Sequence, residues 1–139
     1  MKTTAILALA MMMAPAASAS GHTYFPDSAR YARANPAKTA GSYNAALRSA
    51  NAGVVESALA HVAMIKLTMP GCDIRPVAEA VSAVERRGAS KELRYKAWIV
   101  RTLLDKPELF AGIAKTGYPE PDALFGALEV RMAEFTSAN

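Results

Sequence analysis

The chain has a single cysteine, Cys72, a single tryptophan, Trp98, and only two histidines, His22 and His61. One thiol excludes an intramolecular disulfide. With no second cysteine beside it, Cys72 forms no redox pair, haem attachment site or cysteine-based zinc site. In an oxidising compartment an odd cysteine implies a buried thiol, an intermolecular bridge or a reactive site, and beside the Pro70-Gly71 turn a buried side chain is the plainest expectation. No window shows sustained strand alternation. Beyond residue 19 no apolar run is long enough to cross a bilayer, which takes roughly 20 residues. Neither sign of charge dominates, so the composition does not point to nucleic acid.

The N-terminal residues have the three parts of a secretory signal peptide. Lys2 supplies positive charge, Ala5 to Ala14 is an uncharged apolar run, and Ala17-Ser18-Ala19 is a small-x-small triplet. Cleavage is expected after Ala19. No cysteine stands there for a lipid anchor, and the mature chain is expected to be soluble, periplasmic or secreted. Setting Lys2 aside leaves 15 basic against 12 acidic side chains. About 120 remaining residues suit one domain with one modest core.

The expected organisation is a signal peptide over 1–19, an irregular arm over 20–41 and a helical domain over 42–139. Pro26, Pro36 and Gly41 punctuate the arm, with a short helix at Asp27 to Ala34. Ser42 to Ala50 reads as a short helix. Val54, Val55, Ala58, Leu59, Val62 and Ile65 recur at helical spacing behind a cap at Asn51 and end at Pro70-Gly71. A third helix, capped by Asp73, carries Ile74, Val77, Ala78, Val81 and Val84. A fourth, capped by Ser90, turns Leu93, Ala97, Val100 and Leu104 inward, widened by Trp98 and Ile99. Pro107 opens a short helix with Leu109, Phe110 and Ile113. Asp122 is expected to cap the last, with Leu124, Phe125, Leu128, Met132 and Phe135. The fold class is all-α: short helices in two or so antiparallel hairpins, as a stack or a small bundle.

Val54, Ala58 and Ile65 fall 39 residues before Leu93, Ala97 and Leu104, close to the repeat of about 40 residues in HEAT and armadillo units. The segments Gly53-Val-Val-Glu-Ser-Ala-Leu-Ala-His-Val and Leu93-Arg-Tyr-Lys-Ala-Trp-Ile-Val resemble the first helices of HEAT-like hairpins, over about residues 53–135. The chain is also similar to small exported helical proteins of unknown function. The HEAT-like resemblance implies a hairpin stack used for protein contacts, and it brings no catalytic residues.

Cleavage before Ser20 creates an N-terminus Ser20-Gly21-His22, which resembles the amino-terminal copper- and nickel-binding motif. The α-amine, the amide nitrogens of Gly21 and His22 and the His22 imidazole supply four nitrogens in a plane, the geometry that suits Cu(II) or Ni(II). His61 lies on an apolar stripe and reads as a satisfied, partly buried imidazole. Pairing it with Cys72 as a nucleophile lacks an orienting third group and an oxyanion donor. Met64, Met69 and Met132 read as core or turn fillers.

Arg86, Arg87, Lys91, Arg94, Lys96 and Arg101 concentrate positive charge around the third and fourth helices, with Tyr95 and Trp98 among them. Two readings follow. Arg86, Arg87, Lys91, Arg94, Trp98 and Arg101 form a docking patch for an acidic envelope protein, or for anionic lipid head groups at the membrane periphery. Alternatively they are a solvated face neutralised by acids such as Glu85 or Glu129. With no catalytic residues and no cofactor expected, the functional expectation is a non-enzymatic exported module that binds another protein. Copper or nickel binding is the alternative.

Overall fold

The computed structural model describes residues 36–115 and 117–138, and every regular element among them is helical. In chain order these are α1 (Pro36–Leu47), α2 (Ala52–Thr68), α3 (Arg75–Arg87), α4 (Lys91–Asp105), a 3-10 turn (Pro107–Phe110) and α5 (Pro121–Ser137). The expected all-α class stands. The signal peptide, the Ser20-Gly21-His22 motif and the short helix at Asp27 to Ala34 lie outside the described residues.

The first helix differs from its expected bounds. It begins at Pro36, within the stretch read as an irregular arm, and ends at Leu47 rather than Ala50. Proline at a first helical position loses only an N–H that has no helical partner. Gly41, read as a breaker, sits exposed in mid-helix, at a cost of about 0.5–1 kcal/mol relative to alanine. Burial of Ala40 and Leu47 in the core offsets that cost. Tertiary contact outweighs a weak local preference.

α2 is the hub. Asn51 Oδ1 accepts from the N–H groups of Gly53 at 2.9 Å and Val54 at 3.3 Å, so the expected cap is present. The helix packs against α1, α4 and α5. Val55, Ala58, Leu59, Ala60, Val62, Ala63, Met64, Ile65 and Leu67 are all buried. Apolar residues on nearly every side mark a helix surrounded by others rather than one with a single stripe. Val54, expected on the stripe, is instead 42% exposed. The 39-residue echo is therefore one of spacing more than of environment, because Val54 is open where Leu93 is buried.

α3 and α4 pack against each other across a short turn at Gly88–Ser90. On α3, Val77, Ala80, Val81 and Val84 are buried; Ala80 rather than Ala78 completes the stripe. Asp73 does not cap in the expected way, since the cap position is Ile74. Asp73 accepts from the Arg75 N–H at 3.1 Å and grips the Arg75 side chain at 2.9 and 2.8 Å. Ser90 caps α4 as expected, accepting from the Leu93 N–H at 3.0 Å.

The buried side of α4 is Leu93, Lys96, Ala97, Ile99, Val100 and Leu103. Leu104 is only half-buried and Trp98 faces outward, so the expected inner face is rotated toward Ile99. Phe110 closes one end of the core from the 3-10 turn. The connector to α5 bends through Gly112 and Gly117, at φ 85° and 89°, a region open to glycine without steric cost. α5 then buries Leu124, Phe125 and Leu128, each side chain contributing about 1.5–3 kcal/mol.

Candidate functional site

The fourth helix carries charge on two opposed faces. Its inner face holds Lys96, whose side chain is 7% exposed. The residue lies three after Leu93 and four before Val100, on the buried stripe. Its Nζ donates to Glu56 of α2 at 2.5 Å and to Asp122 of α5 at 2.7 Å, and it stands 3.2 Å from Glu92 one turn earlier. The same ammonium lies 5.2 Å from the centre of the Phe125 ring, within the range at which an aromatic face attracts a cation.

Burial alone works to discharge an ammonium, but here the hydrogen bonds to Asp122, Glu56 and Glu92 outweigh it and hold Lys96 above the ordinary lysine range. The bond from Lys96, followed by its charge, holds the Asp122 carboxyl below its usual value. A lysine so firmly charged is a poor nucleophile, because nucleophilic lysines need a depressed pKa. The cluster joins α2, α4 and α5. Its chemistry is that of a fastener.

The outer face of α4 carries Tyr95 and Trp98, 45% and 37% exposed. Their rings stack, with centroids 5.6 Å apart and planes 24° from parallel. Positions three apart on a helix are surface neighbours, which makes the stack geometrically natural. Lys91 and Arg94 occupy the same helical side one turn earlier, and Arg101 follows one turn later. Lys91 has no acidic partner among the described residues.

The fold divides the expected patch. Arg101 Nε donates to Glu85 at 2.5 Å, with Asp105 at 3.2 Å from its Nη1. Arg86 reaches Glu79 at 3.4 Å. Arg94 donates to the Gly88 carbonyl at 2.8 Å, where it satisfies the end of α3. Lys96 turns inward. The exposed remainder of the patch is therefore the stacked pair with Lys91 on α4 and Arg87 at the end of α3, with the half-buried Arg94 beside them. Glu85 plays the neutralising part expected of it, and Glu129 makes no ion pair among the described residues.

His61 and Cys72 do not meet. His61 is half-buried, its Nδ1 2.7 Å from the Ser57 carbonyl and its ring stacked on Tyr43 at 5.8 Å. It lines a shallow hollow with Tyr43, Asn51 and Val54. Cys72 is half-buried in a different hollow, with Lys66, Asp73 and Arg75. No group of three or more metal-ligating side chains occurs among the described residues. No described helix is long and apolar enough to cross a membrane.

The sequence reading missed Lys96 because neighbouring cations drew it into a surface run. The signal was present in its spacing from Leu93, Ala97 and Val100. Its partners, 40 and 26 residues away, left no local trace. The chain matches no protein-family model, no curated protein and no solved structure.

Proposed function

We propose that the protein is an exported, non-enzymatic helical module that binds another protein through the outer face of α4. The observation that carries this reading is the exposed Tyr95–Trp98 stack bordered by Lys91 and Arg94. Aromatic residues and arginine are enriched at the energetic centres of interfaces, and ordered rings lose little entropy on binding. The positive border favours a partner that presents carboxylates. The pattern of Lys2, Ala5 to Ala14 and Ala17-Ser18-Ala19 supports export.

The test is site-specific photocrosslinking in the producing cell, with the reactive residue at Tyr95 and, as a control, at exposed Ala133 of α5. One discrete partner is expected from position 95 alone. Trp98→Ala with Lys91→Glu should remove it without loss of helicity by circular dichroism. Equal products from both positions, or crosslinks indifferent to those substitutions, sink the proposal.

A second reading rests on His22, placed third after the expected cleavage point. A mature Ser20-Gly21-His22 terminus binds Cu(II) or Ni(II) through four planar nitrogens. A visible band on adding Cu(II) to the secreted protein, lost in His22→Ala, supports it. Intact mass showing any other first residue removes the site.

A further inference from the structure

Seven arginines fall within the described residues, and five of them hold a carboxylate or carbonyl: Arg75, Arg86, Arg94, Arg101 and Arg131. The side chains of the other two, Arg48 and Arg87, make no hydrogen bond or ion pair among those residues. They are 39 residues apart in sequence, yet both line the same hollow. It lies where the end of α1, the start of α2, the end of α3 and the start of α4 come together, and it has a volume of about 400 Å³. Its floor is apolar, formed by Leu47, Val55, Val84 and Leu93. Ala80 and Ala83 are too small to fill the space above.

We infer that this hollow is a binding site for a small amphiphilic carboxylate, its apolar tail on the floor and its head between Arg48 and Arg87. The volume is at the small end of the range of ligand pockets, about 300–1,000 Å³. Such pockets characteristically pair an apolar lining with a few polar groups that fix orientation. Guanidinium is the side chain best matched to a carboxylate, because its planar fork donates two parallel hydrogen bonds. Two forks without a partner among the described residues, over one apolar floor, favour an anionic head on a short hydrocarbon body over a neutral lipid or a free ion. The hollow shares Arg87 with the basic patch but none of its lining with the Tyr95–Trp98 stack, and it does not rest on the reading given to that stack.

Octanoate serves as the probe, titrated into the folded protein and followed by amide chemical shifts. Saturable shifts confined to residues 47–55, 80–89 and 93 are expected. Acetate and octanol, each with half of the recognised chemistry, should bind at least tenfold more weakly. Arg48→Gln with Arg87→Gln should weaken octanoate at least tenfold. These exposed side chains have no described partners, so their removal should leave the amide spectrum dispersed. Ala83→Leu fills the hollow without changing its charge and should also block binding. Shifts spread outside the hollow, octanol equal to octanoate, or binding undiminished in either variant overturns the assignment.

Discussion

Lys96 Nζ lies 2.7 Å from a carboxylate oxygen of Asp122, which fastens the first turn of α5 to the buried side of α4. Asp122 reads in sequence as a helix cap. In the fold it follows Pro121 into the helix, and the cap position belongs to Glu120, which makes no side-chain cap bond. A carboxylate in a first helical turn gains from the helix dipole as well. The same lysine reaches Glu56, so three helices depend on one side chain.

Removing Lys96 should therefore be costly. Lys96→Met keeps the volume but leaves Glu56, which is half-buried, without its counter-ion. Loss of one partner of a buried pair costs about 3–5 kcal/mol, and the solvent exposure of Glu56 and Asp122 moves the expectation to about 2–3 kcal/mol. Urea unfolding followed by circular dichroism measures it, and Lys96→Met with Glu56→Gln should recover part of the loss. A single variant as stable as the parent would show that the fastener contributes nothing.

Stability should depend on pH at both ends of the scale. Asp122 has a folded pKa below its unfolded value, because of the hydrogen bond from Lys96 and then its charge. Its contribution is complete above the unfolded value of about 3.9 and is lost as pH falls through the folded one. Lys96 is shifted upward: burial opposes the charge, but the bonds to Asp122, Glu56 and Glu92 prevail. Its contribution is complete below the unfolded lysine value of about 10.4 and is lost as pH rises through the folded one. A plateau from about pH 5 to 9 is expected on these grounds. Asp122→Asn should flatten part of the acid limb, and an unchanged limb removes Asp122 from the account.

Asp73 offers a local check. The forked bonds from Arg75 hold its carboxyl at about 2. A carbon-detected titration of Asp73 should give a midpoint near that value, moving up toward the usual range in Arg75→Gln. Since the pair is exposed, global stability should not change measurably. An unmoved midpoint would mean that the fork is not formed in solution.

Gly88 is needed for space rather than for backbone freedom. A Cβ there would lie 2.7 Å from the Val84 carbonyl oxygen and 3.1 Å from Arg94 Cγ. The side chain can yield but the helix backbone cannot. Gly88→Ala should lower the melting temperature by several degrees, the scale of a 1 kcal/mol loss in a domain this size. Ser90→Ala, by removal of a helix cap, should lose about 1 kcal/mol independently. A Gly88→Ala protein as stable as the parent contradicts the close approach.

Trp98 is the sole tryptophan, so its fluorescence reports the outer face of α4 directly. Its exposure and its stack on Tyr95 predict ready quenching by small solutes. Lys91 and Arg94 should make iodide a better quencher than caesium at low salt, with the difference shrinking as salt screens the charges. Equal quenching by the two ions would deny the face its positive character.

Local order was largely legible from sequence. The caps at Asn51 and Ser90, the stop at Pro70-Gly71 and the 3.6-residue recurrence on α3 and α4 are short-range signals that the chain writes within a turn or two. The start of α1 was not, because Pro36 and Gly41 look like breaks until Ala40 and Leu47 find the core. Nor was the place of α2 as hub, since its apolar surplus only becomes meaningful once other helices surround it. The basic run around α3 and α4 was visible, but sequence offered no means of telling Arg101, held by Glu85, from Lys91, which meets no acid among the described residues.

Periodicity, capping and punctuation are properties of neighbours along the chain, so the amino-acid sequence alone determined that this protein is helical and roughly where its helices turn. Which charges are paired inside the molecule and which stay exposed depends on pairs 26 and 40 residues apart, as for Lys96 with Asp122 and Glu56. Only the tertiary structure decided that, because electrostatic energy follows distance through space, and the packing of α2 sets those distances.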